Sequence, residues 1–180
     1  MYKIYNNLFQ ITPSILDKIN KYNSSGGSIF NNELNNNPLN DGKRIQFDIS
    51  GDLKILLEKK IQEYVNNLGY KGLVNDVVIL KSLPICKRQK LHYDYDIKIL
   101  RNLKPKDYPH GIIIALCDNT RFIVSEDCKR KKYLYLNKGD AVIFRGDLKH
   151  AGSEYYTENI RLHAYIDVPK YIRDPNMTYL

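Results

Sequence analysis

The chain has 180 residues, a hydrophobic fraction of 43%, fifteen tyrosines and a formal net charge of +8. That length suits one domain, 1–180, with a core of its own; no apolar run approaches the roughly 18 residues of a membrane span, and no basic-then-apolar leader follows Met1, so an intracellular protein without a membrane role is expected. Cys86, Cys117 and Cys128 are odd in number and share no C-x-x-C spacing, which argues against a disulfide framework and a zinc ribbon. The positive charge is compatible with an acidic partner and gathers at Lys87, Arg88 and Lys90 and again from Lys129 to Lys132, where a solvated turn is the simpler reading.

Thr12-Pro13 is a helix start, a capping hydroxyl followed by proline at the first helical position, and Ile15, Leu16, Ile19 and Tyr22 continue it as a stripe. Residues 24–43, rich in Gly, Ser and Asn, are too polar to pack a core and read as a loop, either disordered or a functional lid. Leu53, Leu57, Ile61, Tyr64, Val65 and Leu68 predict a second helix over 52–68, stopped by Gly69 and placed to brace one face of a sheet.

From residue 76 the texture changes to short apolar or alternating runs at 77–83, 90–95, 111–117, 121–125, 133–136, 141–144, around His150 and 160–168, punctuated by Asp118-Asn119, Lys138-Gly139-Asp140 and Gly146-Asp147. About eight closely spaced strands indicate a sandwich or barrel. The expected fold class is therefore α+β, mainly β: a double-stranded β-helix, the jelly roll of cupin-like proteins, over 76–168. N-terminal helices within 1–75 brace it, and 169–180 form a tail.

Gln89-Lys-Leu-His-Tyr-Asp-Tyr-Asp96 carries the chemistry. If this run is a strand, His92 and Asp94 share a face and can share a metal. His150, in Gly-Asp-Leu-Lys-His-Ala-Gly, supplies a third ligand. Two histidines and one carboxylate form the facial triad of non-haem iron(II) oxygenases, which leaves three positions open. Further along, Arg161, His163 and Tyr165 share one face of a strand and Leu162, Ala164 and Ile166 the other.

The order of His-x-Asp, a distal His and a basic residue about ten positions beyond it resembles the iron(II)- and 2-oxoglutarate-dependent dioxygenase superfamily. The phrases Cys86-Lys-Arg-Gln-Lys-Leu-His-Tyr-Asp94, Gly139-Asp-Ala-Val-Ile-Phe-Arg-Gly-Asp-Leu-Lys-His-Ala-Gly152 and Asn159-Ile-Arg-Leu-His-Ala-Tyr165 are similar to uncharacterised members from protists and large DNA viruses. The resemblance covers 76–168. It implies iron(II) bound by His92, Asp94 and His150, with 2-oxoglutarate as cosubstrate, O2 as oxidant and ascorbate as an accessory reductant. It gives Arg161 the distal carboxylate of the cosubstrate, a role that suits a planar fork of donors. His163 and Tyr165 would line or hydrogen-bond the cosubstrate pocket, and Gln89 would support the metal ligands from behind. Asp140 and Asp147, each beside a glycine, are expected to shape turns, and His110 to lie outside the chemistry.

The implied reaction is hydroxylation, or demethylation by way of hydroxylation, of a protein side chain or small molecule. Nucleic-acid dealkylases of the superfamily usually carry Arg-x-Asn-x-Thr-x-Arg where this chain has Arg161-Leu-His-Ala-Tyr-Ile-Asp167, and only the first arginine agrees. Two further readings stand beside this one: a jelly roll that binds without catalysing, and a zinc-dependent cupin-like enzyme, which leaves Arg161 without a task.

Overall fold

The computed structural model describes residues 1–23, 28–29, 33–34, 37–38, 42–127, 129–174 and 177–180. Twelve strands, all paired antiparallel, are described with three α-helices. The larger sheet has seven strands: β1 (Tyr2–Tyr5), β10 (Ala141–Arg145), β7 (His110–Ala115), β12 (Asn159–Asp167), β6 (Leu73–Ser82), β5 (Arg44–Asp48) and β2 (Ser28–Ile29), in that spatial order. A smaller sheet of β11 (Lys149–Gly152), β8 (Thr120–Ser125) and β9 (Lys132–Leu136) faces it, and β3 (Glu33–Leu34) pairs with β4 (Asn37–Pro38). This is the mainly β jelly roll expected from residue 76 onward. The sheet also recruits three strands from the N-terminal part, β1, β2 and β5, which the helical reading of 1–75 did not include.

The 24–43 loop falls largely outside the described residues, and its suggested role as a lid lies there too. The described pieces are β2, whose Ser28 and Ile29 pair with Gln46 and Ile45 of β5, and the β3–β4 pair.

Helix α1 (Pro13–Asn23) starts where Thr12 places it, with Leu16 N–H donating to the Thr12 carbonyl at 3.0 Å. Helix α2 (Gly51–Asn67) presents Leu53, Leu57, Ile61 and Val65 as one buried row. The i, i+4 spacing stacks these side chains along a single stripe. Gly69, at φ +81°, ends the helix in the left-handed region that a residue without Cβ adopts without strain. The stripes of α1 and α2 pack with Phe47, Ile79, Ile114, Leu162, Ala164 and Ile166 on the outer face of the larger sheet. Burying a side chain such as Leu57 from water contributes about 1.5–3 kcal/mol.

Between the sheets a second cluster fills one end with Ile113, Phe122, Val124, Leu134, Val142 and Phe144. A Cβ at Gly111 would collide with the Phe144 ring there, so the strand requires glycine at that point. A third cluster of Tyr95, Leu100 and Tyr171 joins helix α3 (Ile97–Leu100) to the C-terminal tail. The basic run after Asp127 is the expected solvated turn: Lys129 and Arg130 N–H groups donate to Asp127 Oδ1 at 3.0 and 2.8 Å. Asp140 likewise shapes a turn, accepting from the backbone of Asn7 and Asn137 at 2.8 Å each, and Asp147 pairs with Arg145. Cys117, at the end of the apolar run that forms β7, is only partly buried, because the chain leaves the strand for a turn at that point.

Candidate metal centre

The predicted strand over 90–95 does not form. The segment touches its neighbours by isolated bridges, and His92 faces His150 of β11 through two backbone hydrogen bonds of 2.9 Å, N–H to carbonyl in each direction. Residues 94–96 then bend away into α3, capped by Asp96, whose Oδ1 accepts from Lys98 N–H at 2.7 Å. A local alternation of polar and apolar residues thus indicated an extended run, while the cap at Asp96, directly after it, pulls the chain out of the sheet. The bridge nevertheless achieves what a strand would have: it holds both imidazoles on the inner side of the sandwich.

His92, Asp94 and His150 are 5%, 3% and 4% exposed. Each offers one ligand atom, and these atoms lie within 4.8 Å of one another. His150 Nε2 is 3.4 Å and His92 Nε2 3.9 Å from Asp94 Oδ1. Both rings are oriented from behind by the same device, Nδ1 on the carbonyl two residues upstream: Lys90 at 2.8 Å for His92 and Leu148 at 3.0 Å for His150. A carbonyl can only accept, so each Nδ1 carries a proton, and in the neutral ring Nε2 is left as the donor atom a metal shared with Asp94 would take. Phe122 and Phe144 pack against His150 with centroids at 5.3 and 4.6 Å and keep this side apolar.

Burial, then the neighbouring His150, lowers the pKa of His92 to about 4, so its ring is neutral at physiological pH. For Asp94 burial works upward, but His150 and His163 outweigh it and hold the carboxyl well below its ordinary range. Burial likewise opposes charge on His150, and the Asp94 carboxylate beside it reverses the sign, leaving its pKa raised. Three buried donors converging with fixed tautomers, one of them an ionised carboxylate, match the needs of a divalent first-row metal. The donor set fits iron(II).

Arg161 lies on the same inner face, 3% exposed, and its Nη1 donates to Ser82 Oγ at 3.0 Å. Among the described residues no carboxylate pairs with it. One cavity joins this guanidinium to the three metal-site residues and is also lined by Gln89, His163 and Tyr165. All seven residues singled out in the sequence therefore meet in one place. Leu162, Ala164 and Ile166 point the other way into the core, despite a register shift between His163 and Tyr165.

Two placements differ from expectation in detail. Among the described residues Gln89 is hydrogen-bonded to Gly152 and to no metal-site side chain; its Oε1 accepts from Gly152 N–H at 2.8 Å and its own backbone N–H donates to the Gly152 carbonyl at 3.0 Å, tying the segment before His92 to the residues after His150. His163 turns its Nε2 to Asp94 Oδ2, 3.3 Å away. Tyr165 lines the cavity beside His163, edge-on to it and covered by the Arg173 guanidinium 3.5 Å from its ring centroid. Burial, then the Asp94 charge, raises the Tyr165 pKa well above its ordinary value, so it stays a neutral phenol. His110 is outside the cavity, edge-on to Tyr70 with centroids at 5.0 Å.

Sequence reasoning missed Arg44 and Ser82. Arg44, 3% exposed, donates to Ser82 Oγ at 2.8 Å and to the carbonyls of Lys87, Gly152 and Ser153 at 2.9, 3.3 and 2.6 Å. It staples β5, the end of β6 and the end of β11 into the floor of the cavity. The alternation Arg44-Ile-Gln-Phe was the available signal, a four-residue pattern next to a long polar loop.

No family model matches the chain, and no curated protein does either. Solved structures do. A prolyl hydroxylase from Trichoplax adhaerens, in complex with a hypoxia inducible factor oxygen degradation domain peptide fragment, superposes with a TM-score of 0.68 at 14% identity, over 94% of this chain and 84% of that one. The viral collagen prolyl hydroxylase of Paramecium Bursaria Chlorella virus-1, a 2-oxoglutarate complex, gives 0.60 at 18% identity over 91% and 93%. The non-haem alpha-ketoglutarate-dependent epimerase SnoN of nogalamycin biosynthesis gives 0.64 at 12% identity over 95% and 82%. The chain has the fold of the iron(II)- and 2-oxoglutarate-dependent oxygenases.

Proposed function

We propose that the chain is an iron(II)- and 2-oxoglutarate-dependent dioxygenase that hydroxylates, or demethylates through hydroxylation, a protein side chain or small molecule. One observation carries this reading: a buried His92–Asp94–His150 cluster shares a cavity with a buried arginine that no described carboxylate pairs. A buried guanidinium without a partner anion is costly, and an anionic ligand reaching into the cavity from the metal offsets that cost. A zinc-only reading gives Arg161 no such role.

In this scheme His92, Asp94 and His150 hold the metal, and Arg161 receives the distal carboxylate of 2-oxoglutarate as a charge-assisted, fork-like pair. Iron(II) bound there supplies the redox chemistry that couples decarboxylation of 2-oxoglutarate by O2 to oxidation of a C–H bond. Phe122 and Ile113 give the cavity an apolar wall that would exclude water, and Gln46 and Leu80 of β5 and β6 line it as well. The residues after Arg161 lack the arginine, asparagine and threonine pattern of nucleic-acid dealkylases, which favours the other two substrate classes. Residues 1–180 act as one unit in this reading, inside the cell. No helix among the described residues is long and apolar enough to cross a membrane.

The test is formation of succinate from 2-oxoglutarate by the purified chain with iron(II), O2 and ascorbate, together with metal-dependent binding of 2-oxoglutarate. His150→Ala should abolish both. Arg161→Ala should raise the concentration of 2-oxoglutarate required by about 10- to 100-fold, the equivalent of losing hydrogen bonds to a charged group at about 1.5–3 kcal/mol. Wild-type protein that binds metal but no 2-oxoglutarate would overturn the proposal in favour of a non-catalytic or zinc-dependent jelly roll.

A further inference from the structure

We infer that His163 is a positioning residue: its Nε2–H holds Asp94 Oδ2 and thereby keeps Asp94 to single-oxygen coordination of the metal. This rests on the oxygenase reading above and assigns His163 to the carboxylate ligand instead of to the cosubstrate.

The two oxygens of Asp94 face different partners. Oδ1 looks toward His150 and His92 at 3.4 and 3.9 Å, whereas Oδ2 lies 3.3 Å from His163 Nε2. Asp94 is 3% and His163 8% exposed, and among the described residues neither Asp94 Oδ2 nor His163 Nε2 has an aligned hydrogen-bond partner. Two buried polar atoms facing each other at 3.3 Å need only a small rotation to pair, and leaving both unpaired would cost more than the rotation. His163 is outside the set whose ligand atoms lie within 4.8 Å of one another, so it borders the metal site without joining it. Its ring is confined by Tyr165, edge-on at 4.6 Å between centroids, and by the β12 backbone, which pairs Leu162 with Ile114 and Ala164 with Ile112 on either side.

The consequence concerns how many positions the metal keeps. A carboxylate can bind through one oxygen or two, and the second oxygen takes a neighbouring position. A 2-oxo acid chelating through two atoms, plus O2, needs three. A donor fixed on Oδ2 occupies the lone pair that would otherwise swing to the metal, so His163 guards the third position.

Cobalt(II) is the probe, in wild type, His163→Leu and His163→Gln; glutamine carries an N–H donor near the position of Nε2, and leucine carries none. Spectra taken with Co(II) alone test the inference by itself, and 2-oxoglutarate titrated into the Co(II)-loaded wild type tests the reading on which it rests. His163→Leu should bind Co(II) within about threefold of wild type, show a changed visible spectrum, and bind 2-oxoglutarate about tenfold more weakly. His163→Gln should restore both readouts. Identical spectra in wild type and His163→Leu would overturn the inference, as would a glutamine variant that behaves like leucine. A loss of Co(II) affinity beyond about 100-fold in His163→Leu would instead make His163 a ligand. If the leucine variant does not fold, His163→Asn, too short to reach Oδ2, takes its place with the same expectations.

Discussion

Gly152, two residues after His150, has no room for a side chain, and Gly152→Ala should show it. A Cβ built there meets Gln89 Oε1 at 2.5 Å, Arg44 Nη1 at 2.7 Å and Arg161 Nη2 at 3.2 Å. All three are ends of long side chains, which normally move aside at little cost. Here Gln89 Oε1 already accepts from the Gly152 N–H, and Arg44 is held by Ser82 and by carbonyls on both sides of the cavity. Overpacking of this kind costs about 1–3 kcal/mol, and losing the Gln89–Gly152 hydrogen bond adds about 1 kcal/mol. Restricting the unfolded chain by replacing glycine returns about 0.4–1 kcal/mol. The balance is a loss of about 1–3 kcal/mol, or roughly 3–10 °C in Tm for a chain of this size. Urea unfolding of Gly152→Ala, Gln89→Ala and the double variant measures it, and the double variant should recover at least about 1 kcal/mol of coupling, because the nearest obstacle is gone. Binding of 2-oxoglutarate should weaken as well, since Arg161 is the third group displaced. A single variant with wild-type stability and wild-type affinity would refute the reasoning.

Two other outcomes follow from the geometry. His110 has its pKa lowered to about 4 by burial, then by the Arg145 charge, with Asp147 opposing. The unfolded chain therefore takes up a proton first as the pH falls, so the contribution of His110 is complete above about pH 6.5 and is lost between about 6.5 and 4. The stability of the wild type minus that of His110→Gln should fall by up to about 3 kcal/mol across that interval, and a flat difference in denaturation midpoints over pH 4–7 would sink the idea. At the C-terminal end, Tyr179 exchanges backbone hydrogen bonds of 2.7 and 2.8 Å with Tyr93, the residue between His92 and Asp94. Tyr179→Pro removes the N–H of one of them and should weaken Co(II) binding several-fold at about 1 kcal/mol of lost stability, whereas Tyr179→Phe should not; equal metal affinity in all three proteins would show that the tail is irrelevant to the site.

The elements that announced themselves in the sequence are those whose stabilising contacts are local or strictly periodic. Thr12-Pro13 and the Leu53–Val65 stripe needed only capping chemistry and a 3.6-residue repeat. The later strands were bounded by their own turn residues. His92, Asp94, His150 and Arg161 were legible as an ordered set, because four specific residue types in a fixed order carry more information than any one of them. What was hidden depends on distant partners. Strand β5 is five residues long and earns its place by pairing with β6, which begins 25 positions after it ends. The 90–95 run has strand-like alternation, yet its geometry is set by His150 and Tyr179. The contact between His163 and Asp94 could not be anticipated either, since β12 fixes which way His163 points but not what stands opposite.

Strand β12 separates two kinds of constraint along one stretch of backbone. Leu162, Ala164 and Ile166 meet the helices behind the sheet, and Arg161, His163 and Tyr165 meet the cavity in front of it. An engineer can therefore treat alternate positions as two separate panels: volume-preserving apolar changes at 162, 164 and 166 to adjust thermal tolerance, and polar changes at 161, 163 and 165 to adjust ligand preference. A single inserted residue ahead of Arg161 would exchange the panels, driving a guanidinium and an imidazole into the oily layer under α2 while presenting aliphatic groups to the metal. Length polymorphism should thus be confined to the loops flanking this strand.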